Sequence, residues 1–206
     1  MPPHPFPRAR WLALAWLAVY VPAYWQAYGL VNFLFLCNLG VLLTALALWR
    51  GGALLLSSQA VGAPLVCAAW MFDAGWRLLS GRHLIGGTEY MWDPQYPLFQ
   101  RLLSLYHVAW PVVLVAALRR TGYDRRAWAA QGALAAAAIA ASRLTEPRSN
   151  INFAWADPIF RRAFEPGWLH LLIVTGALAG VAYGLTHAAL CAAFRPPGSQ
   201  KLQPDS

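Results

Sequence analysis

Apolar residues in this chain occur in long, nearly unbroken runs, not in the one-faced stripes of a helix that meets water on its other side. Six runs stand out, at residues 11–25, 30–49, 53–79, 98–118, 128–144 and 168–194. Crossing a hydrocarbon core takes about 20 apolar residues. The runs therefore predict an all-α polytopic membrane protein, a single transmembrane domain over residues 1–206 folded as a bundle of about six transmembrane helices. Pro22, Pro64 and Pro111 fall inside runs and predict bends. The fifth run is rich in alanine, whose small side chain lets neighbouring helices approach. In the sixth, Gly176, Gly180 and Gly184 form one smooth face, expected to serve packing.

Two connections exceed the length of turns: residues 81–97, reading GRHLIGGTEYMWDPQYP, and residues 145–167, reading TEPRSNINFAWADPIFRRAFEPG. Within the second, residues 159–164 read as a short interfacial helix. Residues 195–206 are polar and read as a disordered C-terminal tail.

Composition fits this pattern: 59% of residues are hydrophobic and 12% charged, where a soluble domain carries about 25% charged residues. The net charge of +8 does not indicate nucleic acid, because the arginines sit in short clusters between apolar runs, with no basic and aromatic interleaving. They indicate topology instead. Cytoplasmic connections are enriched in Lys and Arg, and the densest cluster, RRTGYDRR at residues 119–126, joins the fourth and fifth runs. With Arg8, Arg10, Arg50 and Arg195 it predicts a multi-pass plasma (inner) membrane protein with both termini cytoplasmic. Both long connections then face outward. The first run closes on Tyr20, Pro22, Tyr24 and Trp25, not on a small-residue cleavage site, and reads as a retained anchor. Cys37, Cys67 and Cys191 lie inside apolar runs without CxxC spacing, so neither a disulfide framework nor a metal site is expected. No nucleotide-binding loop occurs, and no cofactor is expected.

Polar groups inside apolar runs are the functional pointers of such a chain, since each must offset its desolvation. Counting along a helix that rises 1.5 Å per residue, Cys37 lies about 10 Å, Asp73 about 9 Å and His107 about 13 Å below the outer ends of their helices. A thiol, a carboxylate and an imidazole at one level have the makings of a nucleophile, an orienting acid and a general base. Each also has a structural reading: Cys37 as a small core residue, Asp73 as the partner of Arg77 one turn away, and His107 as a partner for backbone disturbed by Pro111. Asn38 reads as a substrate contact or as interhelical glue. In the outer connections Glu89, Tyr90, Asn150 and Asn152 are candidate substrate-binding groups, on the condition that the NINF stretch folds back over the bundle. The alternative is a solvated loop with an aromatic anchor.

The stretch FLFLCNLGVLLTALALW, the later FQRLLSLYHVAWPVVLVAAL and the NINF element together resemble the YwaF-like integral membrane family, over roughly residues 32–152. Related eukaryotic members are intramembrane phospholipid acyltransferases that use a cysteine and a histidine. That resemblance implies Cys37 as the acyl-accepting nucleophile and His107 as its base. The neighbours of Cys37 here are Leu36 and Asn38, whereas the family often places a histidine beside the cysteine.

Two functions follow as expectations. One is an intramembrane lipid acyltransferase or lipid hydrolase using Cys37 and His107, with membrane lipids as partners. The other is a non-enzymatic membrane protein whose polar layer binds a lipid or other polar ligand, or stabilises a membrane assembly.

Overall fold

The computed structural model describes residues 3–157 and 161–194. Among them the regular elements are all helical. Helix α1 spans Ala9–Tyr28, α2 Leu36–Arg50, α3 Ala53–Ser80, α4 Leu98–Leu103, α5 Tyr106–Thr121, α6 Ala127–Ser142, α7 Gly167–Gly176 and α8 Tyr183–Ala193. Helices α4 and α5 follow one another across a turn at Ser104 and Leu105, and a π-helical stretch at Ala177–Ala182 joins α7 to α8. Three of these segments are long and apolar enough to cross a membrane: Ala53–Ser80, Leu98–Thr121 and Gly167–Ala193. The apolar α2 and α6 are shorter, at 15 and 16 residues. Residues 161–164, the last four of the expected interfacial helix, are not helical. The first two residues of that helix and the tail at 195–206 lie outside the described residues.

Helix α3 is the centre of the bundle, packing on α2, α5, α6 and α8, while α1 lies against α2 and α7 against α6. Small residues permit two of the close approaches. Gly40 on α2 faces the Trp110 ring of α5, and Gly62 on α3 faces Gln131 of α6, and a Cβ at either glycine would collide with that side chain. A buried polar group, Gln131 Oε1, accepts from Ser58 Oγ at 2.7 Å and ties α6 to α3. The face formed by Gly176, Gly180 and Gly184 does not pack as expected: a Cβ on any of the three would meet no other atom within 4 Å.

The run at 30–49 is not one helix. Leu30–Leu34 forms a 3-10 turn, Phe35 adopts an extended conformation with φ −55° and ψ 131°, and α2 begins at Leu36. Such a break leaves backbone groups without helical partners. Asn152 supplies the partners from 116 residues further along: its Oδ1 accepts from Leu36 N–H at 2.9 Å and its Nδ2 donates to Leu34 C=O at 2.8 Å. The same Nδ2 lies 3.1 Å from Ser142 Oγ at the end of α6. Asn150 and Asn152 both take positive φ, 38° and 53°, a region that asparagine tolerates better than most residues. Asn150 closes its own loop by donating to Ala156 C=O and accepting from the N–H groups of Trp155 and Ala156. The NINF stretch thus folds back onto the bundle.

Short connections give the bundle two distinct ends. One collects the start of α1, the end of α2, the α5–α6 turn and the end of α8. It is held by His4 Nε2 to Trp49 C=O at 2.9 Å, Arg120 to Pro5 C=O at 3.1 Å and Asp124 N–H to Ser57 Oγ at 3.0 Å. This end carries Arg8, Arg50, Arg119, Arg120, Arg125 and Arg126 and is called the basic end below. Both long connections lie at the opposite end.

Replacing Asn152 with alanine should lower unfolding stability by about 1–2 kcal/mol, the loss expected for a helix cap with its buried partners. Thermal unfolding in detergent micelles measures this, and the exposed Arg148→Gln provides a neutral comparison.

Candidate functional site

Helix α1 places Tyr20, Tyr24 and Tyr28 on one face, since residues four apart stack along a helix. Tyr20 and Tyr24 are buried, with ring centroids 4.2 Å apart. Their hydroxyls end in a layer of polar groups near the start of α2. Asn38 Oδ1 accepts from Tyr20 at 2.8 Å and from Tyr106 at 2.9 Å, while Asn38 Nδ2 donates to Asn32 C=O at 2.8 Å. Tyr24 and Ser104 share a hydroxyl contact of 2.5 Å. Asn38 therefore joins α1, α2 and α5, and both ends of its amide are occupied by protein.

Cys37 stands at the edge of this layer, half-buried, with its sulfur 3.8 Å from Asn38 Oδ1 and against the Tyr106 hydroxyl. His107 is buried, its ring stacked between Trp70 at 4.7 Å and Tyr106 at 4.1 Å. Its Nδ1–H donates to Ser104 C=O at 2.8 Å, which leaves Nε2 as the basic nitrogen. Cys37 and His107 thus both border Tyr106, and no hydrogen bond joins them among the described residues.

Asp73 serves a different element. Its Oδ1 accepts from three successive backbone N–H groups, Leu84 at 2.9 Å, Ile85 at 2.7 Å and Gly86 at 3.0 Å, and its Oδ2 accepts from His83 Nδ1 at 3.0 Å and from the Thr88 hydroxyl. Gly86 and Gly87 take φ of 92° and 88°, which lets the backbone curl around the carboxylate. The expected partner, Arg77, instead donates to Gly81 C=O. The first long connection accordingly descends to the level of Asp73, seven residues inside the end of α3, and the carboxylate holds it there. Glu89 is exposed and accepts from Gly87 N–H at 2.6 Å. Tyr90 accepts from Trp70 Nε1 at 3.0 Å, which connects this loop to the ring stack on His107, and burial pushes its phenol well above the ordinary range.

Residues absent from the sequence expectations complete the arrangement. Tyr20, Tyr24 and Tyr106 supply most of the layer's hydroxyls, and their spacing of four along α1 was the signal available for the first two. His83 had none, since only the loop's descent brings it, with Thr88, to Asp73. At the basic end, the i, i+4 spacing of α8 places Cys191 Sγ 3.6 Å from His187 Nε2, and Tyr123 Oη lies 2.6 Å from His187 Nδ1. Burial pushes the Tyr123 phenol up to about 12, so it remains a neutral hydrogen-bonding group that ties the α5–α6 turn to α8. Among the described residues no group of three or more His, Cys, Asp or Glu is placed to hold a metal ion.

Beside the polar layer a cleft of about 580 Å³ opens sideways between α1, α2 and α5. Its walls are Leu12, Trp16, Ala45, Leu102 and Val113, with Tyr106 and Trp110 at its inner side. The polar groups on its wall are engaged within the protein: Thr44 Oγ1 donates to Gly40 C=O and accepts from Trp110 Nε1 at 2.9 Å. The cleft is thus suited to an apolar occupant.

Removing the Asp73 carboxylate with Asp73→Ala should cost about 3 kcal/mol or more, because several donors lose a charged acceptor at once. The first connection should come loose before the bundle does. Trypsin cleavage after Arg82 in detergent-solubilised protein should accelerate at least about tenfold, as expected when local opening becomes easier by more than 1.4 kcal/mol. Comparison with protein-family models, with characterised proteins and with solved structures finds no match.

Proposed function

We propose that this chain is a lipid-binding membrane protein that holds one acyl chain in the lateral cleft between α1, α2 and α5. The single observation that carries the reading is the cleft itself: about 580 Å³, walled by aliphatic and aromatic side chains, with its few polar groups already satisfied by neighbours. Water gains nothing there, whereas a lipid chain buries apolar surface on both sides. All six apolar segments cross the bilayer in this reading. Helix α2, about 22 Å long at 1.5 Å per residue, and α6, about 24 Å long, are completed to a core of roughly 30 Å by the turns beside them. The basic end is cytoplasmic in a multi-pass inner-membrane protein, in keeping with the arginines gathered there.

A second reading is acyl transfer through Cys37 with His107 as base, the activity implied by the resemblance to the YwaF-like family. One observation favours it: Tyr106 borders the cleft and also touches the Cys37 thiol. Transfer requires a thioester on Cys37, which adds the mass of an acyl group to the peptide carrying it. If protein incubated with phospholipid bearing a labelled chain gains no hydroxylamine-labile label at Cys37, or if Cys37→Ala labels equally well, acyl transfer is ruled out.

Filling the cleft with Ala45→Trp should reduce lipid retained through purification by about tenfold, as displacement of two methylene groups at ~0.8 kcal/mol each would do. Native mass spectrometry of the protein released from micelles counts the bound lipid. Retention unchanged by Ala45→Trp excludes the cleft.

A further inference from the structure

The cleft does not end within the bilayer. A second hollow of about 620 Å³ adjoins it toward the basic end, and the two share Ala9, Leu12, Leu48 and Val113 on their walls. The first hollow is apolar, whereas the second reaches Arg8 and Arg120. Both arginines are exposed. Arg120 commits one N–H to Pro5 C=O at 3.1 Å, and a guanidinium has five such donors. Arg8 stands at the N-terminus of α1, whose first turn contains no acidic residue, so the helix dipole and both cations favour an anion at the same place.

From Arg120 back to Tyr106 along α5 is about 21 Å at 1.5 Å per residue, and half a hydrocarbon core is about 15 Å. A chain that starts from a head group at Arg8 and Arg120 and runs the depth of one leaflet therefore covers about two thirds of the way to Tyr106. From the geometry we infer, resting on the lipid-binding reading above, that the occupant is an anionic phospholipid of the leaflet facing the basic end. Its phosphate is held by Arg8 and Arg120, and its chain terminus points toward the Tyr106 layer. In this orientation the ester bonds stay with the head group. Cys37 lies near the start of α2 while Arg50 ends it, about 20 Å apart by helix rise, so the thiol is on the side of the chain's methyl end and not of its carbonyl. The bound lipid is held intact.

The test uses the full chain in nanodiscs of phosphatidylcholine containing one tenth phosphatidylglycerol, with retained lipids identified by native mass spectrometry. Wild-type protein should retain phosphatidylglycerol in preference to phosphatidylcholine. The double variant Arg8→Gln with Arg120→Gln should lose that preference by about tenfold to thirtyfold, as two interfacial cations would account for, while still retaining one lipid of either kind. Arg126→Gln should leave the preference intact, because Arg126 is paired with Asp124 at 2.8 Å and lies outside the hollow. A preference that survives in the double variant, or that disappears equally in Arg126→Gln, overturns the assignment of the phosphate to Arg8 and Arg120. That outcome is distinct from failure of the cleft itself, which is read from loss or retention of all lipid in Ala45→Trp.

Discussion

Where the chain leaves regular helix inside this bundle, backbone groups lose their helical partners and take new ones from the protein. Asn152 meets this need at the start of α2, where one amide serves Leu36 N–H and Leu34 C=O. Asp73 meets it at the first long connection, where one carboxylate gathers the N–H groups of Leu84, Ile85 and Gly86. Both are long-range contacts, and both bring a loop onto the bundle. Without them the two connections would be polar loops beside a set of apolar helices. With them the loops cover the end of the bundle at which the polar layer lies.

That layer is a shared network more than a set of separate residues. Asn38 is its hub because an amide oxygen can accept two hydrogen bonds while the nitrogen donates, and here the acceptor takes one hydroxyl from α1 and one from α5. Tyr106 belongs to everything around it: it bonds to Asn38, stacks on His107 and forms part of the cleft wall. The arrangement also accounts for the absence of a bond between Cys37 and His107 among the described residues. Each is held by Tyr106 or by its own backbone, with the imidazole committed through Nδ1 to Ser104.

The molecule is polar in different ways at its two ends. At one end buried neutral and acidic groups hold folded-back loops. At the other, arginines surround a groove that continues into the apolar cleft, and Tyr123 and His187 pin the α5–α6 turn to α8. The glycine face of α7 and α8, expected to pack, lies open. Spacing of small residues establishes that a close approach is possible, and it carries no information about whether a neighbour takes the position.

Much of the architecture was legible in the chain. The apolar runs locate α3, the α4–α5 segment and the α7–α8 segment to within a few residues, because burial of the backbone in helix is the dominant demand of an apolar solvent and is written locally in hydrophobicity. The same pattern singled out Cys37, Asn38, Asp73 and His107 as costly groups needing an explanation. Only the tertiary structure decided what each explanation is. Asp73 is bound by a loop that returns from beyond the helix end, not by Arg77 four residues away. The run at 30–49 is broken at Phe35, and Asn152 caps the break. A partner more than a hundred residues distant leaves no trace in local hydropathy, since a hydrogen bond depends on where two groups meet in space and not on what surrounds either in the chain.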